Sequence, residues 1–142
     1  MILYLDTSAL VKLFVEEEGS DKVKRAVSEA RSVVTHAITY VEACAAFSKA
    51  THGLRDERRF FTFRGHLDAQ WRSWEILPAN DTLLRRAADL AAIHRLRAYD
   101  SVHLAAAESV LTTVEQGEAF RFGAFDGKLR EVAERVGMRV LQ

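Results

Sequence analysis

Short apolar runs alternate along the chain with longer segments in which apolar residues recur every three or four positions. The short runs predict buried strands, and the longer segments predict helices that cover a sheet. About five short strands are predicted, at residues 2–5, 33–35, 74–77, 120–125 and 138–141. Strands that alternate with helices are typical of a mainly parallel sheet with helices on both faces. The pattern therefore predicts a three-layer α/β/α domain.

The segments between the strands predict the helices. They span about residues 8–18, 21–30, 37–51, 80–94, 98–113 and 127–136. From Leu54 to Trp74, aromatic residues recur at helical spacing, which predicts one or two further helices. We expect this aromatic stripe to pack in the core or at a dimer contact. The alternative is that part of it forms an exposed groove for an amphipathic segment of a partner.

Length and composition favour a single domain covering residues 1–142. The chain is 49% apolar and 28% charged, with a formal net charge of zero, which is ordinary for a globular protein. Its one cysteine, Cys44, excludes an internal disulfide and fits the cytoplasm. The longest stretch without Asp, Glu, Lys or Arg has ten residues, whereas a membrane-spanning helix needs about 20. We therefore expect a cytoplasmic protein without membrane contact, and the balanced charge permits a polyanionic substrate without pointing to one.

Four acidic residues stand within or beside apolar segments: Asp6, Glu42, Asp100 and Asp126. Burying an ionised carboxylate without a partner costs several kcal/mol, so such groups usually pair or bind metal. Asp6 and Asp126 each follow a predicted strand, and ligands of parallel sheets bind at the carboxyl ends of strands. Glu42 and Asp100 lie near the starts of helices and can lean toward the same edge. Four carboxylates gathered there suit Mg²⁺ or Mn²⁺, hard ions that take oxygen ligands.

Simpler explanations exist for most of these carboxylates. Asp6 and Asp126 can cap the helices that follow them, although Thr7 or Ser8 can take the first role instead. Asp100 can pair with Arg97, three residues earlier on the chain. Glu42 is the hardest to explain in this way, because its neighbours along the helix are mostly apolar or small.

Four motifs occur in the order and spacing of PIN domains. They are LDTSALVK at residues 5–12, YVE at 40–42, LRAYDSVHLA at 96–105 and FDGKL at 125–129. Through them the chain resembles the PIN-domain ribonucleases, most closely the VapC-type toxins of toxin–antitoxin modules, over essentially its whole length. The resemblance implies a Mg²⁺- or Mn²⁺-dependent endoribonuclease that acts on RNA, is inhibited by a cognate antitoxin and forms a homodimer.

The resemblance also assigns roles to individual residues. It implies that Asp6, Glu42, Asp100 and Asp126 form the acidic quartet that holds the metal. Ser8 would support a metal-bound water or a phosphate, with plain helix capping as the alternative. Many relatives have Thr or Ser just before the fourth acid, where this chain has residues Ala and Phe at 124–125, so Asp126 is the least secure member.

Two arginines and one histidine complete the candidate site. Arg95 and Arg97 lie beside the third motif and are candidates for contacts with RNA phosphates, with ordinary surface roles as the alternative. His103 follows Asp100 by one helical turn, which suggests that it orients that carboxylate. The five histidines are scattered without a shared motif, which argues against cleavage by a histidine acid–base pair. The alternative function is a catalytically weak or inactive PIN-like module that binds RNA or a protein partner.

Overall fold

A computed structural model describes residues 1–53 and 58–142 of the chain. Within these residues, four strands form one sheet: β1 (Ile2–Leu5), β2 (Ser32–His36), β3 (Glu75–Leu77) and β4 (Phe120–Gly123). Their order is β3-β2-β1-β4, and each neighbouring pair is parallel. The prediction of a parallel sheet is confirmed.

The fifth predicted strand, at residues 138–141, was wrong. This segment makes only an isolated bridge, between Phe122 and Val140. Two backbone hydrogen bonds tie it to Phe122, from Phe122 N–H to the Arg139 carbonyl and from Leu141 N–H to the Phe122 carbonyl. The Leu141 carbonyl is instead bound by the guanidinium of Arg130 at 2.9 Å, so the pairing does not extend into a strand.

The helices of the described residues follow the predicted order. They are α1 (Thr7–Val11), α2 (Ser20–Glu29), α3 (Ile38–Thr51), α4 (Arg58–Trp71), α5 (Asp81–His94), α6 (Ala98–Leu111) and α7 (Gly127–Arg135). The predicted start of a helix at residue 54 lies outside the described residues. None of the described helices has the length and apolar character that crossing a membrane requires.

The first helix is much shorter than the predicted span of residues 8–18. After Val11 the hydrogen bonds tighten, because the Val11 carbonyl accepts from both Phe14 and Val15. The buried Ser20 then closes the turn: its hydroxyl donates to the Val15 carbonyl and accepts from Glu17 N–H. These bonds satisfy backbone groups that a continued helix would otherwise have paired.

Two apolar clusters lie on opposite faces of the sheet, which confirms the three-layer architecture. Because side chains alternate along a strand, Tyr4 and Phe122 face α5, α6 and α7, whereas Leu3 and Leu5 face α1 to α4. The aromatic stripe packs partly buried against the second cluster through Phe60, Phe63, Trp71 and Trp74. Its prediction as core is confirmed for these residues.

The ends of the central strands bring their following residues together. Asp6 comes directly after β1, and its N–H donates to the Gly123 carbonyl at the end of β4 at 2.9 Å. β1 also pairs with β2 on its other side, and α3 begins two residues after β2. The loops after these three neighbouring strands therefore meet at one edge of the sheet.

Candidate active site

A cleft of about 770 Å³ opens at this edge of the sheet, and all four predicted acidic residues line it. Asp6, Glu42, Asp100 and Asp126 come from four separate parts of the chain, each placed by a different element. Thr7, Ser8, Lys12, Lys49, Arg97 and His103 are among the other lining residues. The fold thus brings the four carboxylates to one cleft, while their catalytic role stays a prediction.

Asp6 is the most buried of the four, with a relative exposure of 3%. Its Oδ1 accepts hydrogen bonds from the Ala9 N–H at 2.9 Å and from the Ser8 hydroxyl at 2.7 Å, so Asp6 is the N-cap of α1. Burial raises the pKa of Asp6 to about 6, and the nearby Asp100 adds to this, while His103 and the Ser8 hydroxyl act in the opposite direction. Among the described residues, no donor contacts Oδ2, which leaves that oxygen available to a ligand.

Ser8 joins the two loops that end β1 and β4. Its hydroxyl donates to Asp6 Oδ1 and accepts from the Phe125 N–H at 2.9 Å. The capping alternative for Ser8 was wrong, because Asp6 caps α1 in its place. Since the hydroxyl proton is already donated inside the protein, any role of Ser8 toward a water or phosphate would use a remaining lone pair.

Glu42 is held by two donors at the same oxygen. Its Oε1 accepts from the Thr7 hydroxyl at 2.8 Å and lies 2.9 Å from His103 Nε2. Burial acts to raise the pKa of Glu42, but the hydrogen bonds with His103 and Thr7 act in the opposite direction, and the pKa lies below its usual range. The suggested pairing of His103 with Asp100 was therefore wrong, because His103 points across to α3 and contacts Glu42.

Asp100 and Asp126 share one arginine. Arg97 donates through Nε to Asp100 Oδ2 at 2.8 Å and through Nη2 to Asp126 Oδ2 at 3.3 Å. Asp126 also accepts from the Leu129 N–H at 3.0 Å through Oδ1, so it is the N-cap of α7. The predicted cap by Asp126 and the predicted pair of Asp100 with Arg97 are therefore confirmed. Both side chains also line the cleft.

The two predicted RNA contacts lie in different places. Arg97 lines the cleft. Arg95 ends α5 with a positive φ of 53°, and its carbonyl accepts from Lys128 Nζ at 2.6 Å. It is exposed and is not among the described residues that line the cleft.

The sequence reasoning missed two lysines that line the cleft, Lys12 and Lys49. Lys12 Nζ pairs with Glu17 at 2.9 Å and lies 4.5 Å from the ring centroid of Phe125. A signal existed for both. Lys12 belongs to the same motif as Asp6, and Lys49 follows Glu42 by seven residues, which places the two on one face of α3.

The donor chemistry of the cleft fits a hard divalent cation, although the side chains are not arranged around one. In the described part of the chain, no group of three Asp, Glu, His or Cys side chains is placed so that it could hold a metal ion. The guanidinium of Arg97 lies against Asp100 and Asp126 instead. Asp6, however, forms no ion pair with a described Lys or Arg, and its raised pKa reflects a buried negative charge that a cation would offset. Oxygen donors of this kind suit Mg²⁺ and Mn²⁺.

Comparisons with known proteins concern the family and the fold of the chain. The family model of the PIN domain matches residues 3–135. Ribonuclease VapC46 of Mycobacterium tuberculosis is 31% identical to the chain over 140 residues, which cover 98% of this chain and 95% of VapC46.

Two solved structures share the fold. VapC20 of Mycobacterium tuberculosis, described as a toxin that cleaves the sarcin-ricin loop, matches with a TM-score of 0.68 at 14% identity, over 96% of this chain and 95% of VapC20. A toxin–antitoxin complex from Klebsiella pneumoniae matches with a TM-score of 0.66 at 16% identity, over 90% of this chain and 89% of that one. At such identities the likeness concerns the fold alone. Together with the family match along most of the sequence and the 31% identical relative, it leads to one conclusion: the chain belongs to the PIN-domain family.

Proposed function

We propose that the chain is a metal-dependent endoribonuclease that hydrolyses RNA phosphodiester bonds and acts as the toxin of a type II toxin–antitoxin system. The observation that carries the proposal is the cleft lined by Asp6, Glu42, Asp100 and Asp126 in a PIN-domain chain. The name of its relative VapC46 describes a ribonuclease. The RNA substrate and the free thiol of Cys44 suit action in the cytoplasm.

The four carboxylates would hold Mg²⁺ or Mn²⁺ in the cleft. When bound, such an ion lowers the pKa of a coordinated water and neutralises charge on the phosphate. Asp6 is oriented for this by the two donors on its Oδ1, which leave Oδ2 free. Glu42 is likewise fixed at Oε1 by Thr7 and His103. The protein therefore sets the positions of two ligands before any ion arrives, which reduces the reorganisation that binding requires.

Three cationic side chains of the cleft would receive the RNA. Lys12, Lys49 and Arg97 line the same cavity as the acids, and contacts with phosphates supply much of the affinity for nucleic acid. Arg97 would leave Asp100 and Asp126 when a divalent cation takes its place, and its guanidinium would then be free to bind a phosphate. Arg95 lies outside the cleft and would contact only a longer RNA.

The experiment that tests this function is RNA cleavage by the purified chain with Mg²⁺ or Mn²⁺. Asp6→Asn and Asp100→Asn should each lower the rate at least about 100-fold, because loss of several kcal/mol of electrostatic stabilisation is expected. Asp89→Asn, which changes an exposed acid on α5, is the matched control and should keep full activity. The products should carry 5′-phosphate ends.

Full activity of both cleft variants, or cleavage that EDTA does not diminish, would contradict the metal-dependent mechanism. Products with 2′,3′-cyclic phosphate ends would also contradict it and would favour a histidine mechanism. Circular dichroism of each variant serves to show that the fold survives the substitution.

The proposed partners are an antitoxin protein and a second copy of the chain. Support for the antitoxin comes from the complex of Klebsiella pneumoniae, whose fold match covers most of this chain. A small reading frame directly upstream, whose product copurifies with the chain and suppresses cleavage, would support the toxin role. Activity that no neighbouring product suppresses would instead assign the nuclease to RNA processing.

A second candidate function is an inactive PIN-like module that binds RNA or a protein. The observation that favours it is the ion pairing of Arg97 with both Asp100 and Asp126, which gives this part of the cleft a cation of the chain's own. Calorimetric titration with Mn²⁺ separates the two functions, because an inactive module should show no saturable binding that depends on Asp6.

A further inference from the structure

Behind Glu42 lies a chain of hydrogen bonds that reaches through the domain to the central strand. Tyr4 on β1 is fully buried, and its hydroxyl lies 3.0 Å from His103 Nδ1. The opposite ring nitrogen, Nε2, lies 2.9 Å from Glu42 Oε1 and 3.3 Å from the Thr7 hydroxyl. His103 itself is only 1% exposed. These hydrogen bonds therefore link β1, α6 and α3 through the imidazole ring of His103.

The direction of these hydrogen bonds follows from the groups involved. A buried phenol needs an acceptor for its proton. The backbone of His36 also contacts the Tyr4 hydroxyl, but as a donor that lowers its pKa, so the acceptor is the side-chain partner of the hydroxyl, His103 Nδ1. Nδ1 must therefore be unprotonated and accept. Since the ring must carry a proton on the other nitrogen, Nε2–H donates to Glu42 Oε1. Burial supports this assignment, because it raises the pKa of Tyr4 well above the ordinary value and keeps the phenol protonated.

We infer that His103 is a positioning residue for Glu42: Tyr4 selects the tautomer of His103, and His103 with Thr7 fixes Glu42 Oε1 so that Oε2 is presented to the divalent cation. The inference rests on the proposed function of the cleft. Both donors act on the same oxygen, and no described residue donates to Oε2. Partners that orient a metal ligand in this way typically change metal affinity 10- to 100-fold when they are removed.

A purely structural role for His103 would not require this arrangement. A partner for the Tyr4 hydroxyl needs only a polar atom at the position of Nδ1. It does not need the second contact, from Nε2 to Glu42. A buried polar network is stabilising only when each member is satisfied. In the hydrogen-bond network of Tyr4, His103 and Glu42, every donor has an acceptor. The last acceptor, Glu42, lines the cleft.

Two substitutions at position 103 separate the positioning role from a structural one. The terminal amide of glutamine reaches about as far as histidine Nε2, whereas that of asparagine reaches only to about Nδ1. His103→Gln can therefore still donate to Glu42, and His103→Asn keeps a partner for Tyr4 while it loses the donor to Glu42. Each variant has a structural cost of its own, because asparagine is one methylene shorter and glutamine leaves the Tyr4 hydroxyl without its side-chain acceptor. Thermal unfolding of the metal-free proteins measures this cost separately from the metal affinity.

The measured quantity is the Mn²⁺ affinity, obtained by calorimetric titration. His103→Asn should weaken it about 10- to 100-fold, and His103→Gln should recover most of the loss. Equal affinities in wild type and both variants would overturn the inference. An equal loss in both variants, parallel to an equal loss of thermal stability, would also overturn it, because only a structural role remains then.

Nitrogen NMR of the His103 ring provides a second test that needs neither metal nor a stable variant at position 103. In the metal-free wild-type protein, Nε2 should carry the proton and Nδ1 should not, and Tyr4→Phe should allow the other tautomer to appear. A proton on Nδ1 of the wild-type ring would contradict the inference even if Mn²⁺ binds. A wild-type protein that binds no Mn²⁺ removes the proposed function and, with it, the role of His103, whereas normal Mn²⁺ binding with unaffected variants removes the inference alone.

Discussion

Two acidic residues of the cleft cap a helix with one carboxylate oxygen and keep the other for a second partner. Asp6 and Asp126 each use Oδ1 to cap a helix and leave Oδ2 toward the cleft or Arg97. From the sequence, helix capping and metal binding were alternative predictions for Asp6 and Asp126. The two roles are compatible because a carboxylate has two oxygens, and the cap fixes the orientation of the second one.

Contacts between distant residues were the part of the site that the sequence could not supply. The helical spacing of His103 and Asp100 suggested a pair, yet His103 contacts Glu42, which is 61 positions away along the chain. Which residue a buried ring meets depends on how α6 packs across the sheet toward α3. Residue types and local spacing carry no information about that packing. The carboxylates and the local pair of Asp100 with Arg97 could therefore be predicted, whereas the contact between His103 and Glu42 could not.

The raised pKa of Asp6 predicts how the stability of the metal-free protein depends on pH. Since the folded-state pKa is about 6 against an ordinary 3.8, the folded protein holds the proton more tightly than the unfolded chain does. The resulting contribution is fully present below about pH 4 and is lost as the pH rises through about 6. Asp6→Asn keeps the capping oxygen and removes the charge, so above pH 6 it should be more stable than wild type by about 1–3 kcal/mol.

Urea unfolding in the presence of EDTA, at several values between pH 4 and 7.5, measures this difference. The free-energy advantage of Asp6→Asn should increase from about pH 4 to about pH 6 and then stay level. Taking the difference between the two proteins cancels the titration of groups they share. If the difference in unfolding free energy between Asp6→Asn and wild type does not change with pH, the pKa of Asp6 is not raised by its burial.

Arg97 and Arg95 form a matched pair for testing contacts with RNA. Arg97→Gln should raise the KM for RNA roughly 3- to 10-fold, as expected for one exposed charge contact worth about 1 kcal/mol, whereas Arg95→Gln should leave it unchanged for a short RNA. Both side chains are exposed, and the ion pairs of Arg97 are at the surface, so neither change should lower stability by more than about 1 kcal/mol. Steady-state kinetics with a short oligonucleotide decides, and equal effects of the two substitutions would refute the assignment of Arg97.

At the scale of elements, the hydrophobic pattern predicted which segments become strands and helices but not where each one ends. Strands β1 and β2 and the long helices lie where the periodicity indicated. The first helix ended early because the side chain of Ser20 satisfies backbone groups near residues 15–17, and the final strand was reduced to one bridge. Both differences involve side chains that bind backbone groups, Ser20 at the end of α1 and Arg130 at the carbonyl of Leu141. Hydrophobic periodicity does not report such bonds.

The close approach of β4 to β1 explains why a glycine ends β4. A Cβ atom at Gly123 would lie 2.8 Å from Leu5 Cδ2 and 3.2 Å from the Tyr4 carbonyl oxygen. Gly123→Ala should therefore destabilise the protein by about 1–3 kcal/mol, the usual effect of overpacking a core, and should disturb the adjacent Asp6 loop. Gly65→Ala on α4 is the control, because nothing lies within 4 Å of its added carbon.

For that control, a gain of roughly 0.5–1 kcal/mol is expected, since alanine favours the helix over glycine. Urea unfolding of the two variants against wild type provides both numbers. A Gly123→Ala protein as stable as wild type would mean that β1 and β4 can separate without loss, which would weaken the link between strand packing and the position of Asp6.

For the molecule as a whole, the sequence was sufficient to predict the α/β/α architecture and the edge at which the cleft lies. Both follow from general rules about parallel sheets and the ends of their strands. Of the cations that line the cleft, Arg97 was predicted, whereas Lys12 and Lys49 were not, because they join the acids only once α1 and α3 have packed side by side. A chain with zero net charge thus has acidic and basic groups within one cavity.

The central claim is that the carboxylates of this cleft hold a divalent cation, and calorimetric titration with Mn²⁺ tests it most directly. The wild-type protein should show saturable binding that displaces Arg97 from its partners. Asp100→Asn should weaken this binding at least about 10-fold, and the exposed control Asp89→Asn should leave it unchanged. Absence of saturable binding in the wild type, or equal binding by the wild type and Asp100→Asn, would contradict the claim.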